Sequence, residues 1–246
     1  MDSQFLTDSV VRQLTRRDSS LSEASRDLLS RSLSPPALVK AGEDMVIQGS
    51  RPSHSTVILN GWACRYGTLP DGRNQTLALH IRGDFVDLHS FPIKVMDHSV
   101  CALTDCTIAT IPHDLLRQIT KVDPHLTRVL WLHTLVDAAI LRQWLLSSAQ
   151  RTALEHCAHL LCELFTRLQV AELAFPGRPF ELPISQIELG AALGITPVHV
   201  SRTLSKLRNT GLFTWKQGEA LIPDWERLSR LASFDPTYLI LTDEPR

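Results

Sequence analysis

The segment Ile195–Leu212, "ITPVHVSRTLSKLRNTGL", gathers hydrogen-bonding and cationic side chains at helical spacing. On a wheel of about 100° per residue, Val200, Leu204 and Leu207 share a narrow arc that must face a core. Val198, Ser201, Arg202, Ser205 and Asn209 fall opposite, with His199 and Lys206 on one flank, and this outward face has no carboxylate. Between residues 184 and 216 the cations Arg202, Lys206, Arg208 and Lys216 stand against Glu188 alone, a local excess in a chain of net charge −1. Such a local patch suits phosphate, whereas the chain as a whole is no polycation. The chemistry divides by side chain. The Arg202 guanidinium can donate two parallel bonds to O6 and N7 of a guanine. Ser201 and His199 can reach base edges or phosphate, and Val198 can touch a thymine methyl. Ser185, Gln186 and Lys206 suit backbone phosphates, which hold register without reading sequence. Thr196, Pro197 and Ser205 complete the expected DNA-binding set.

Elements must hold these groups in place. Ser185-Gln186-Ile187-Glu188 has the form of a capping box, and the helix it starts runs to Gly194, suited to a left-handed C-terminal position. Thr196 caps the next helix with Pro197 at its first position. Two short helices joined around a glycine read as a helix-turn-helix. "LFTWKQGEALIP" then predicts a hairpin wing around Gln217-Gly218, and "WERLSRLASF" a final short helix.

Other reactive side chains are weaker candidates. In "EHCAHLLCE", His156, His159 and Glu163 share a helical face near Cys157 and Cys162, which could favour a metal- or redox-responsive regulator. A jelly-roll enzyme would want clustered histidines with a carboxylate, whereas His80, His89 and His98 are scattered in sequence. The five cysteines form no CxxC pair and are expected to be reduced and buried. No catalytic residue, metal site or cofactor is expected.

The rest of the chain sets the frame. Residues 1–36 predict helices around Phe5–Leu14 and Ser22–Ser32, stopped by Pro35-Pro36. Residues 37–122 carry short β-rich runs, among them "STVIL", "QTLALHI" and "DFVDL", separated by turn signals such as Asn60-Gly61. Leu77, Leu79 and Ile81 alternate with smaller or polar residues as in a half-buried strand. Residues 123–147 predict a helix that is apolar nearly all round and therefore covered on both sides, most simply by the same helix of a second copy. Ser147 or Ser148 would cap the following helix, with a hinge at 147–151. Residues 148–246 form the DNA-binding part. The fold class is α+β: a β jelly roll, a long dimerisation helix and a winged helix-turn-helix. No signal peptide and no apolar run near 18 residues is evident, so a cytoplasmic chain away from the membrane is expected.

In the order of these parts, with "AGEDMVIQGS" and "RGDF" in the barrel and "ISQIELGAALGITPVHVSRTLSKLRNTGL" after the long helix, the sequence resembles the family of the cAMP receptor protein and the fumarate–nitrate regulator. The resemblance implies a homodimeric transcription factor, not an enzyme, with a cyclic-nucleotide-binding-like sensory domain. Double-stranded DNA, a second copy and RNA polymerase are the expected partners. The family places an arginine where Arg202 stands, and often a glutamate where this chain has Val198. Its cyclic-nucleotide binders use a Gly-Glu pair and an Arg-Ser pair in the barrel. Laid without gaps, Asp87 and Leu88 stand at the first and His98 and Ser99 at the second, so the effector pocket is expected there without cAMP as its ligand. No cysteine precedes Cys64 to match the N-terminal cluster of the iron–sulfur branch. The effector is left unknown.

Overall fold

Ser22 caps the second of two amphipathic helices that open the chain. The computed structural model describes residues 3–246; the first two residues of the expected helical segment 1–36 lie outside the described residues. Helix α1 spans Ser3–Thr15 and α2 spans Glu23–Ser32, with the Ser22 hydroxyl accepting from the Ser25 amide. The chain divides into two units. One runs to Ala138 and takes back Ile240–Arg246, and the other is Ala139–Leu239.

In the first unit the prolines after α2 hand the chain to two antiparallel sheets. One orders β1 (Ala37–Val39), β7 (Cys106–Pro112) and β3 (His54–Asn60) as β1-β7-β3. The other orders β2 (Asp44–Val46), β6 (Ser99–Ala102), β4 (Ala63–Thr68) and β5 (Asn74–His80) as β2-β6-β4-β5. Successive side chains of a strand point to opposite faces. On β3, Val57 and Leu59 join the core formed with α1 and α2, whereas Ile58 joins Val46, Val86 and Val100 between the sheets. Both faces of β3 are therefore buried, which accounts for its unbroken apolar run.

Three expectations change here. "DFVDL" is not a strand: Phe85 makes a single bridge to Val57, and the chain then turns into helix α3 (Ser90–Ile93). The Asp87 carboxylate accepts from the Thr56 amide at 2.5 Å, taking a donor that a continuing ladder would need. Strand β1 arises where the sequence marks only a domain boundary. The expected alternation on β5 fails because Ala78, Leu79, His80 and Ile81 are all buried, the strand end being covered on both faces.

Helix α4 (His113–Val122) closes the sandwich, and α5 runs from Pro124 to Gln150, three residues past the expected end. By length and composition alone α5 is apolar enough to cross a membrane, contrary to the sequence reading. Its Leu126, Val129 and Leu130 are instead part of the first unit's core, and Asp137 pairs with Arg65 at 2.7 Å. The C-terminal residues also bind this unit: the Arg17 guanidinium donates to the Ile240 carbonyl, and Asp18 accepts from the Arg246 amide and faces His125.

The second unit holds α6 (Ala153–Val170), α7 (Gln186–Leu193), α8 (Pro197–Asn209) and α9 (Trp225–Ala232). The hairpin β9 (Thr214–Lys216) and β10 (Glu219–Leu221) turns at Gln217 and Gly218, both with positive φ, as the expected wing requires. A third strand, β8 (Phe180–Glu181), pairs with β10 out of what read as a connector. The α5–α6 break is not at the serine pair. Ser147 is buried inside α5 and the Ser148 hydroxyl donates back to the Leu145 carbonyl. Thr152 and Glu155 form the reciprocal cap that starts α6.

Candidate nucleic-acid interface and effector pocket

Local chemistry shapes the interface first. Ser185 and Glu188 form the reciprocal capping box of α7. Gly194 ends that helix in the left-handed region at φ 65°, and the Ile195 amide returns to the Gly190 carbonyl at 3.0 Å. The Thr196 hydroxyl accepts from the His199 amide, with Pro197 at the first turn of α8. Val200 and Leu207 are buried, as expected. Leu204 is only half-buried, and Thr203 is buried in its place. Helix α8 meets α6, α7 and β9, so its covered arc is wider than the apolar stripe alone.

Opposite that arc, Thr196, Pro197, Val198, His199, Ser201, Arg202 and Lys206 are exposed and Ser205 is half-buried. His199, Ser201, Arg202, Ser205 and Lys206 line a shallow depression. The Arg202 and Lys206 side chains enter no ion pair among the described residues. Ser185 and Gln186 are exposed at the start of α7, where the first-turn amides add partial positive charge. The sequence-derived set thus lies at the start of α7 and along the outer side of α8, with every member but the half-buried Ser205 exposed.

Gly190, which the sequence reading passed over, sets the approach of α7 to α8. A Cβ there would stand 2.8 Å from the Ile195 carbonyl oxygen and 3.2 Å from Val200 Cγ2. The small-residue run Gly190-Ala191-Ala192 is the signal that could have found it. Gly190→Ala is expected to destabilise the second unit by about 1–3 kcal/mol through overpacking, read as a lower melting temperature by circular dichroism.

The barrel residues differ from simple expectation. Asp87 is 1% exposed and, chiefly by burial, its carboxyl is pushed up to about 7. Leu88 joins the core, and the Ser99 hydroxyl accepts from the Gln48 amide. His98 is buried, with Nδ1 2.7 Å from Asp97 Oδ1. The guanidinium of this region is Arg65, absent from the sequence-derived set. It donates to Asp137 and to the Val86 carbonyl at 2.7 and 2.8 Å. His89 and His98, scattered in sequence, come together with ring centroids 5.0 Å apart.

Among the described residues the helical His/Cys cluster does not gather as a group of metal ligands. Glu163 is fully buried and accepts from Trp144, Tyr238 and Arg167, while His159 stacks on Tyr238 and lies edge-on to Phe234. Burial pushes the Cys157 and Cys162 thiols up to about 12, which disfavours the reactive thiolate.

Comparison with known proteins agrees with this arrangement. Residues 37–123 match the cyclic nucleotide-binding domain and residues 155–231 the Crp-like helix-turn-helix domain. The chain is 31% identical over 196 residues to a protein of Rhizobium leguminosarum bv. viciae named "Probable transcriptional activator", covering 79% of this chain and 80% of that one. It is 27% identical to the transcriptional activator protein FnrL of Cereibacter sphaeroides, covering 80% and 79% of the two chains. The solved structure of FixK2 from Bradyrhizobium japonicum superposes with a TM-score of 0.72 at 25% identity, over 80% of this chain and 96% of that one.

Proposed function

This chain belongs to the CRP/FNR family of DNA-binding transcriptional regulators, and from that premise we propose that it works as a cytoplasmic homodimer whose paired α8 helices read a two-fold symmetric operator. The observation that carries this reading is the exposed, carboxylate-free face of α8, held by capped ends and a buried underside. In this reading Arg202 reads a guanine, Ser201 and His199 contact base edges or phosphate, and Val198 meets a thymine methyl. Ser185, Gln186 and Lys206 hold phosphates, and Thr196, Pro197 and Ser205 shape the rest of the contact. Residues 37–122 serve as the sensory barrel, 124–150 as the dimerisation helix and 151–239 as the DNA-binding part. RNA polymerase is the further partner, and the chain has no enzymatic role.

Dimerisation is supported by α5. Trp131, Leu135, Ala138, Arg142, Leu145 and Ala149 recur at alternating steps of four and three, the spacing of a coiled-coil seam. Trp131 and Leu145 are 61% and 70% exposed, an unusual placement for large apolar side chains unless another surface covers them. Control by cyclic AMP is disfavoured. His98 and Ser99 supply no guanidinium for the cyclic phosphate, Arg65 is engaged by Asp137, and Asp87 faces the Thr56 backbone.

Selection of bound duplexes from a random pool should return a two-fold symmetric site, with binding unchanged by cyclic AMP. Leu135→Lys/Leu145→Lys should convert a dimer to a 27.5 kDa monomer by light scattering and abolish binding to the symmetric site. A monomeric wild-type protein with unchanged affinity would refute the dimer reading.

A further inference from the structure

His89 precedes α3, and His98 immediately precedes β6. Between them the chain leaves the sandwich and returns, which brings two side chains nine positions apart into one cluster. One ligand atom from each imidazole and a carboxylate oxygen of Asp97 all lie within 4.8 Å of one another. Nε2 of His89 and Nε2 of His98 are buried and have no hydrogen-bond partner among the described residues. Buried polar atoms are rarely left in that condition without a purpose. From this geometry we propose that His89 and His98, with Asp97 orienting the His98 ring, form a binding site for a divalent transition-metal ion.

Two ligand chemistries could use a pair of imidazoles: an anion needs them protonated, and a metal needs them neutral. Burial, reinforced by the Arg65 charge, lowers both from their ordinary value, His89 to about 4. The Asp97 carboxylate in the same cluster would repel an anion and attract a cation, so the arrangement favours a metal. With Asp97 accepting from His98 Nδ1–H, the lone pair of His98 falls on Nε2, the carboxylate–histidine arrangement common beside metals. The nearby positive charge of Arg65 is partly offset by Asp137 at 2.7 Å, which reduces its repulsion of the ion. Tetrahedral ligands at about 2.0–2.2 Å from a metal stand about 3.4 Å apart, so binding would draw together the two rings, whose centroids lie 5.0 Å apart. Two imidazole nitrogens favour Zn²⁺, Co²⁺ or Ni²⁺ over Mg²⁺ and Ca²⁺, and leave the remaining coordination positions to water oxygens. Asp97, with its side chain 79% exposed, gives the ion a route in from solvent.

The test uses the full-length chain after chelator treatment, titrated with Zn²⁺ by calorimetry and with Co²⁺ by visible absorption. About one ion per chain is expected, with nitrogen–oxygen d–d bands and no thiolate charge-transfer band. His89→Gln and His98→Gln should each abolish stoichiometric binding, and His156→Ala/His159→Ala should leave it intact. Asp97→Asn changes an exposed side chain and spares the core, so it keeps the test open if a histidine variant fails to fold. It should weaken affinity about 10–100-fold. Absence of stoichiometric binding, unchanged affinity in the Asp97 variant, or loss of binding in the His156/His159 variant would overturn the site. Ion binding is read without DNA, so failure here leaves the operator reading standing.

Discussion

Arg202→Ala is expected to weaken operator binding by about 1–3 kcal/mol per half-site, or roughly 2–6 kcal/mol for a two-fold complex. That corresponds to a factor between about 30 and 20,000 in affinity. Loss of preference at one base pair per half-site should accompany it. The guanidinium lies on the exposed face of α8 and enters no ion pair among the described residues, so its removal leaves the fold's own contacts in place. Alanine also keeps helix propensity high. The effect is therefore confined to recognition, and melting temperature should stay within the error of the wild type. Lys206→Ala provides the contrast. A lysine on a phosphate lowers affinity for every sequence alike and reduces the slope of log affinity against log salt by about one per contact. If Arg202→Ala lowered affinity uniformly, with no base pair relaxed, Arg202 would be a phosphate ligand and the assigned reading head would be wrong.

The helix-turn-helix was legible because its determinants are local. Ser185 with Glu188, Gly194, and Thr196 with Pro197 each fix a helix end through bonds spanning three to five residues, and the structure keeps every one. The wing was legible for the same reason, through Gln217-Gly218. Thr203 escaped because a wheel ranks residues by polarity, whereas the buried arc is set by what α8 touches. The serine pair at 147–148 misled because its chemistry suits a cap, yet Thr152-x-x-Glu155 makes the same offer and the chain breaks there. Helical spacing correctly put His156, His159 and Glu163 on one face. It carried no information about whether that face meets solvent, and it meets the core. The pairing of His89 with His98 was hidden by an aperiodic stretch whose path only the tertiary fold defines. Gly61 shows the same limit: Asn60-Gly61 reads as a turn, but only the structure shows that a Cβ would strike the Asp105 carbonyl oxygen at 2.7 Å.

Glu163→Ala should be the most damaging single change within the second unit, at about 3–5 kcal/mol. Glu163 lies on α6 with no exposure and joins three elements. Trp144 Nε1 of α5 donates to it at 3.2 Å, Tyr238 of the final 3-10 turn (Pro236–Leu239) at 2.9 Å, and Arg167, one turn along α6, at 3.1 Å. Alanine removes an acceptor shared by three donors, one of them on a guanidinium whose side chain is only 10% exposed. For a unit of this size the loss corresponds to a fall of roughly 10 °C or more in melting temperature. Replacing both charges, as in Glu163→Leu/Arg167→Met, should cost much less, because desolvating a buried ion pair offsets much of its attraction. The pH dependence follows from the same burial, which holds the Glu163 carboxyl above its ordinary 4.5 against the opposing pull of Arg167, Tyr238 and Trp144. A carboxyl raised in the folded state contributes stability that is fully present below its unfolded value and is lost as pH rises through the folded one. Wild-type stability should accordingly fall on the alkaline side of 4.5, and Glu163→Gln should flatten that fall. Chemical unfolding followed by tryptophan emission reads both effects. A loss below about 1 kcal/mol in Glu163→Ala, or a double variant as damaged as the single, would show that this carboxylate does not hold the three elements together.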